Sequence, residues 1–391
     1  MQKNKFDIIV GVPTYNEADT IRNVLSKIDL GLIKYFPGHK SLIVNIDSES
    51  TDGTRKIFLD TKTSTEKVAL SGGSSPRGKG VNIFKFLELA QQVNVPYLCI
   101  FDGDIISISE SWIKYLLEPI LRKEADFVAP IYTHTRIEAN AIDHFFNPII
   151  IKWFGHTIRQ PIAGEFAMNK KFIEYFLKQH RCKTTYLFGL AVSLVIHAIG
   201  GNFKIKEVFL GRKVHKPNFG KISPMFEQMA STTIFTLAQY KKNREIESGK
   251  FNKNFFLKKI KWNNRLRFVS KKKIIDKKLD DFYKYSLNKL SQVSTEEAKT
   301  YFGVSSFLLE KIFNRKIQIT SAQWVQILKH LVDYISNNSI SAAKAEQIAT
   351  SLSPFLFLRL VYFLDELNNI SSNRKIEDAL QNQLDLLLIS D

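Results

Sequence analysis

Tyr97-Leu98-Cys99-Ile100-Phe101-Asp102-Gly103-Asp104 is the stretch that decides the fold. Five residues of apolar, strand-forming character run straight into two carboxylates separated by one glycine. Two carboxylates at a strand end can hold a divalent cation between them, and such a cation neutralises a nucleotide diphosphate. Taken alone, the tripeptide also reads as a solvated turn, because Asp and Gly are common turn residues. Its surroundings decide between the two readings.

Working outward, apolar runs of strand length recur at Asp7–Tyr15, Ser41–Asp47, Lys67–Leu70 and Asp126–Ile131. Between them lie helically spaced segments such as Val81, Phe84, Leu87, Leu89 and Ala90. Near-continuous apolar strands alternating with helices predict an α/β fold with a mostly parallel sheet covered on both faces. Polar and glycine-rich residues follow each strand. Val12-Pro13-Thr14-Tyr15-Asn16-Glu17 follows the first, and Asp47-Ser48-Glu49-Ser50-Thr51-Asp52-Gly53-Thr54 the second. Gly72 through Gly80, which includes Arg77 and Lys79, follows the third; it offers backbone N–H groups and two cations to phosphates. It is not a G-x-x-x-x-G-K-[ST] loop, since Lys79 is followed by Gly80. In open α/β sheets ligands bind outside the carboxyl ends of the strands, which is where these four clusters fall.

In order and spacing, these motifs resemble those of the GT-A glycosyltransferases, enzymes that use nucleotide sugars and carry a D-x-D metal motif. Downstream, Arg159-Gln160-Pro161-Ile162-Ala163-Gly164-Glu165-Phe166, Leu210-Gly211-Arg212-Lys213-Val214-His215-Lys216-Pro217 and Ser223-Pro224-Met225-Phe226-Glu227-Gln228-Met229 narrow the likeness. They resemble segments of the retaining mannosylglycerate, glucosylglycerate and glucosyl-3-phosphoglycerate synthases, and the resemblance covers roughly residues 6–240. It implies that Asp104 and His215 bind Mn²⁺ or Mg²⁺. It further implies that Pro13, Thr14, Tyr15, Glu17, Asp47, Lys79, Asp102, Gly103, Gly164 and Glu165 form the nucleotide-sugar site. Within that set Glu17 and Asp47 face the nucleoside, Lys79 the diphosphate, Asp102 the ribose or donor sugar, and Gly164 and Glu165 the sugar and acceptor pocket. Asp102, Lys79 and Glu165 are the expected catalytic set. The implied partners are a UDP- or GDP-hexose and a small anionic acceptor such as glycerate or 3-phosphoglycerate. Relatives carry an acidic residue near the acceptor where Leu187-Phe188-Gly189-Leu190-Ala191 places Ala191. That departure leaves room for a lipid-linked or macromolecular acceptor, or for a catalytically silent nucleotide-sugar-binding module. His134, His144, His156, His180 and His197 have no such context and read as ordinary structural histidines.

The rest of the 391 residues sets the frame. The chain carries 56 Lys+Arg against 38 Asp+Glu, a formal charge of +18, which favours anionic partners. Fifteen Lys and Arg against three acids lie in residues 241–278, so twelve of those eighteen charges sit there, interleaved with Phe251, Phe255, Phe256, Trp262 and Phe268. The preferred reading is helices whose aromatics pack on the catalytic domain; a membrane surface ranks next, and nucleic acid last. The expected spans are 1–240 for the catalytic domain, 241–278 for the basic connector and 279–391 for an all-helical C-terminal domain that packs on its own core or in a homo-oligomer. In that last span Ser321 is the expected N-cap of one helix, and Ser353-Pro354 the expected start of another. Two cysteines exclude a disulfide framework. No apolar leader and no bilayer-length apolar run are found, which predicts a soluble, cytoplasmic protein.

Overall fold

The computed structural model describes residues 5–72, 78–133, 140–216, 222–243, 272–313, 319–368 and 373–388. Arg77, His134 and most of the basic span 241–278 lie outside the described residues. The chain divides into two compact units. The first joins Met1–Thr133 to Ile158–Ile222, and the second joins His134–Thr157 to Ser223–Asp391. These limits do not coincide with the spans 1–240 and 279–391, because two apolar stretches before residue 240 pack with the helical unit.

In the first unit seven strands form one sheet in the order β3-β2-β1-β4-β6-β5-β7. The strands are β1 Ile8–Thr14, β2 Ser41–Asp47, β3 Glu66–Ser71, β4 Tyr97–Ile100, β5 Phe127–Thr133, β6 Phe166–Asn169 and β7 Ile205–Arg212. Strand β1 pairs in parallel with β2 and β4, β2 with β3, and β5 with β7; β6 alone runs antiparallel, between β4 and β5. Every residue of β1 is buried, so both faces of the sheet are covered there. The mostly parallel sheet expected from the sequence is therefore present, and β6 and β7 extend it.

Helices α1 (Ile21–Tyr35), α2 (Thr54–Asp60), α3 (Lys79–Gln92) and α4 (Glu110–Leu121) follow the first four strands. Helix α1 buries Ile21, Val24, Leu25, Ile28 and Leu32 at helical spacing, against α4, which buries Trp112, Ile113, Leu116, Leu117 and Ile120. On Gly31 a Cβ would stand 2.7 Å from the Glu110 carbonyl oxygen, so only glycine allows this approach of the two helices. In register, Thr14 lies opposite Asp47 and Asp47 opposite Ser71. The ends of β1, β2 and β3 are thereby level, and their loops open on one rim of the sheet.

The second unit is helical. Its earliest part is a π-helical turn, Ile142–Phe146, running into α5, Asn147–Phe154. The Trp324 indole N–H donates to the His144 carbonyl at 2.7 Å, and the Phe226 ring packs on Phe145, Phe146 and Phe357. Two sequence expectations are corrected here. The N-cap of helix Ser321–Asn337 is Thr320, in a capping box with Gln323; the Ser321 hydroxyl instead accepts a bond from Arg359. Ser353-Pro354 does not open a helix, because helix Ala342–Asn368 runs straight through it. Proline leaves the carbonyl four residues earlier without its donor. The Ser353 hydroxyl supplies one, donating to the Thr350 carbonyl at 3.1 Å.

Candidate active site

The site lies on that rim of the first unit. After β1 the chain turns at Asn16, whose φ of 59° is left-handed. The loop after β2 holds this turn: Asn16 N–H donates to Ser50 Oγ, Thr51 N–H to Asn16 Oδ1, Glu17 N–H to Thr54 Oγ1 and Ala18 N–H to Asp52. Asp47 is buried. It accepts bonds from the Thr14 hydroxyl (2.9 Å), the Ser50 hydroxyl (2.6 Å) and the Ser50 N–H (2.9 Å). Pro13 and Gly103 meet across the next gap, where a Cβ on Gly103 would stand 2.6 Å from Thr14 Cγ2 and 3.1 Å from the Pro13 carbonyl oxygen. Tyr15 is exposed at the edge.

Lys79 opens α3, between two glycines whose absent side chains matter. A Cβ on Gly78 would sit 2.4 Å from the Tyr186 carbonyl oxygen, and one on Gly80 would sit 2.3 Å from that of Thr185. The Gly80 N–H donates to the Leu187 carbonyl. Residues 185–187 therefore press directly on the expected phosphate loop. Ala191 follows in the first turn of α6 (Leu190–Gly200) and is half-buried.

Asp102 is held by two cations, Lys79 on one oxygen and Lys213 on the other at 2.8 Å. Lys213 also reaches Glu165 Oε1 at 2.7 Å, and the Tyr132 hydroxyl donates to Glu165 Oε2. Glu165 is fully buried. The result is a chain of alternating charge: Lys79, Asp102, Lys213, Glu165, closed by Tyr132. Burial raises the Asp102 carboxyl, but Lys213 and then Lys79 outweigh it and hold it well below the usual carboxylate range. Burial lowers the Lys213 ammonium, and Asp102 and Glu165 reverse this and push it up. Burial and the Glu165 charge together push the Tyr132 hydroxyl up. Gly164 sits against Asp102 so closely that a Cβ would lie 1.8 Å from its carboxylate oxygen.

Beside this chain stand Asp104 and His215. Ile105 bridges to His215, Ile106 N–H donates to the Val214 carbonyl (2.8 Å), and the Ser107 hydroxyl joins Arg212 and Val214. That pairing brings His215 Nδ1 to 3.8 Å from Asp104 Oδ2. Nδ1 also lies 2.8 Å from the Lys216 carbonyl oxygen, which can only accept; Nδ1 therefore carries the proton and Nε2 the lone pair. Burial and the Asp102 charge raise the Asp104 carboxyl. A carboxylate and an imidazole lone pair suit Mn²⁺ or Mg²⁺, and the fit is to a cation sharing its other positions with phosphate and water. Among the described residues no group of three or more His, Cys, Asp or Glu gathers as a cage. Glu17 lies in contact with Lys216 at 2.8 Å.

Of the residues expected from the sequence, the structure brings together Lys79, Asp102, Gly164 and Glu165, sets Asp104 beside His215, and joins Thr14 to Asp47. Sequence reading gave no role to Lys213, Tyr132 or Lys216. Lys213 and Lys216 stood in the quoted Leu210–Pro217 stretch, and their flanking of His215 was the available signal. Tyr132, near the end of β5, gave no signal beyond being a polar tip late in an apolar strand. His144 and His197 are fully buried.

Residues 9–179 match the model of Glycosyl transferase family 2. Glycosyltransferase AglJ of Haloferax volcanii is 34% identical over 98 residues, 25% of this chain and 27% of AglJ. The match thus spans about a quarter of that relative's length. Among solved structures, glucosyl-3-phosphoglycerate synthase from Mycobacterium tuberculosis with Mn²⁺, UDP-glucose and phosphoglyceric acid is similar at a TM-score of 0.48 and 21% identity, over 60% of this chain and 80% of that one. The same synthase with Mg²⁺ and UDP gives 0.46 and 19%, over 63% and 82%.

Proposed function

From the match of residues 9–179 to the Glycosyl transferase family 2 model, we propose that the protein is a metal-dependent, retaining hexosyltransferase. It moves a hexose from a UDP- or GDP-sugar to a small hydroxy-acid acceptor such as glycerate or 3-phosphoglycerate. The observation that carries the reading is the joining of Lys79, Asp102, Lys213 and Glu165 beside the pair Asp104–His215. Asp104 and His215 would hold Mn²⁺ or Mg²⁺, which supplies charge stabilisation to the departing diphosphate. Lys79, at the N-terminus of α3, adds a positive charge and a helix end to the same phosphates. Asp102, kept ionised by two lysines, is ready to accept sugar or ribose hydroxyls.

The engagement of the two carboxylates supports the retaining reading. Each oxygen of Asp102 and of Glu165 already has a partner. A general base needs a free oxygen within hydrogen-bond reach of the acceptor proton. In this reading the departing phosphate would serve as the acceptor's base, with attack from the leaving-group face. Glu165 then acts by holding Lys213 against Asp102.

A second reading has its own support. Ile106 and Val214, neighbours of Asp104 and His215, are exposed at 53% and 39%. An apolar rim beside the expected leaving-group site, with Ala191 in place of an acid, suits an acceptor hydroxyl carried on a lipid. Among the described residues no helix is long and apolar enough to cross a membrane. Cytoplasmic location and self-association of the helical unit complete the proposal.

The test is nucleoside-diphosphate release from UDP- and GDP-hexoses with Mn²⁺, with and without D-glycerate, 3-phosphoglycerate or a lipid phosphate. Release that needs metal and glycerate or phosphoglycerate, is lost in His215→Ala, and gives a product with the donor's anomeric configuration supports the first reading. Release with the lipid acceptor alone selects the second. A protein that binds no nucleotide sugar refutes both.

A further inference from the structure

Lys216 ties together the two sides of the site. Its ammonium lies 2.8 Å from Glu17 Oε2, contacts Asp19 and donates to the Asn16 carbonyl at 3.2 Å. The loop it grips is anchored twice over. Ser50, Asp52 and Thr54 hold its backbone and the Thr51 N–H its Asn16 side chain from the β2 side, and the Thr20 hydroxyl donates to the Gly103 carbonyl at 2.8 Å, in the middle of Asp102-Gly103-Asp104. On the other side, the chain reaching Lys216 is paired with residues 105–107 as far as His215. The Lys216 carbonyl accepts a hydrogen bond from His215 Nδ1. The same residue therefore grips the fixed loop with its side chain and orients the imidazole with its backbone.

We propose that Lys216 is a positioning residue for the Asp104–His215 pair: its clasp on Asn16, Glu17 and Asp19 fixes the backbone that aims His215 Nε2 at a divalent cation. This rests on the reading that Asp104 and His215 hold that cation. The physics gives the proposal a sign that a bystander lysine does not share. Removing a nearby positive charge, with Glu17 and Asp19 left in place, strengthens attraction for a cation. Removing a residue that orients a ligand weakens binding, by about 10- to 100-fold for groups that fix metal-bound histidines. The two effects oppose each other, and a positioning role is shown only if the second wins.

The experiment is titration of the full-length protein with Mn²⁺ alone, following the free aquo-Mn²⁺ signal by electron paramagnetic resonance, with no sugar donor and no turnover. Wild type, Lys216→Met, Lys216→Arg and His215→Ala are compared, each checked for folding by thermal unfolding. The expected result is binding weakened about tenfold or more in Lys216→Met, near wild type in Lys216→Arg, and weakest in His215→Ala. Unchanged or tighter binding in Lys216→Met, with His215→Ala still impaired, overturns the positioning role and leaves the metal reading intact. A folded wild type that binds no Mn²⁺ overturns both.

Discussion

Gly164→Ala is the sharpest probe of the ion chain. The added methyl would lie 1.8 Å from one carboxylate oxygen of Asp102, 2.3 Å from its carbon and 2.6 Å from the other oxygen. Ordinary contact begins at 3.4 Å, so either the carboxylate or the backbone at 164 must retreat by more than an ångström. The carboxylate is poorly placed to do so, since Lys79 and Lys213 grip both of its oxygens. Backbone movement at 164 drags Glu165, and with it the Lys213 contact at 2.7 Å. Overpacking of this kind costs about 1–3 kcal/mol in stability. A 1 Å misplacement of reacting groups costs about 100-fold in rate. We therefore expect kcat/KM for donor turnover to fall about 100-fold in a protein that still folds. Gly38→Ala is the control, because a Cβ there meets nothing within 4 Å. The assay is metal-dependent nucleoside-diphosphate release, with circular dichroism and thermal unfolding on both variants. Wild-type turnover in Gly164→Ala, with Tm unchanged, would refute the claim that Asp102 is clamped at the site.

Lys213→Met removes the shared cation of buried Glu165 and partly buried Asp102 and should destabilise the protein by about 3 kcal/mol; adding Glu165→Gln should recover part of that loss, a coupling that a double-mutant cycle in urea reads directly. His197 is buried, and desolvation, aided by Arg181, lowers its pKa from 6.5 to about 3. Between those values the unfolded chain binds the extra proton, so its contribution is full above pH 6.5 and falls as pH drops toward 3, at about 1.4 kcal/mol per unit. His197→Gln should flatten that part of the urea-midpoint profile, and an unchanged slope would count against it. Thr320→Ala removes an N-cap with both halves of its capping box in place; the expected loss is about 1 kcal/mol, seen as a lower Tm.

The sheet was legible where burial is two-sided. Strands β1, β2 and β4 are nearly continuous apolar runs because helices cover both faces there, and the sequence reading placed each within a residue or so. Strands β6 and β7 were not seen, for different reasons. Strand β6 is four residues, Phe166–Asn169, and its first residue belongs to a motif read for chemistry. Strand β7 is an edge strand: Lys206, Phe209 and Arg212 are exposed, so no clean alternation marks it. The helix through Ser353-Pro354 is not legible from sequence, because proline ordinarily breaks a helix and here a hydroxyl one residue earlier meets the carbonyl it leaves unpaired.

The site divides along the same physical line. Asp102, Asp104 and Lys79 are near strand ends, where local order announces a ligand loop, and the sequence offers all three as candidates. Lys213 is 111 residues from Asp102, and Lys216 is 200 from Asn16. Nothing in a string of residues separates a lysine that will be clamped between two carboxylates from one that will face water. This chain has 56 basic residues, and most of its net charge lies in a different segment. What distinguishes Lys213 is desolvation, which only the closed fold creates. Once buried, it cannot remain charged without partners at hydrogen-bond distance, and Asp102 and Glu165 are those partners. Burial thus turns Glu165, read from sequence as lining a pocket, into the group that keeps a lysine charged against Asp102. The same exclusion of water that hides this lysine from sequence reasoning makes its charge strong enough to set the state of Asp102.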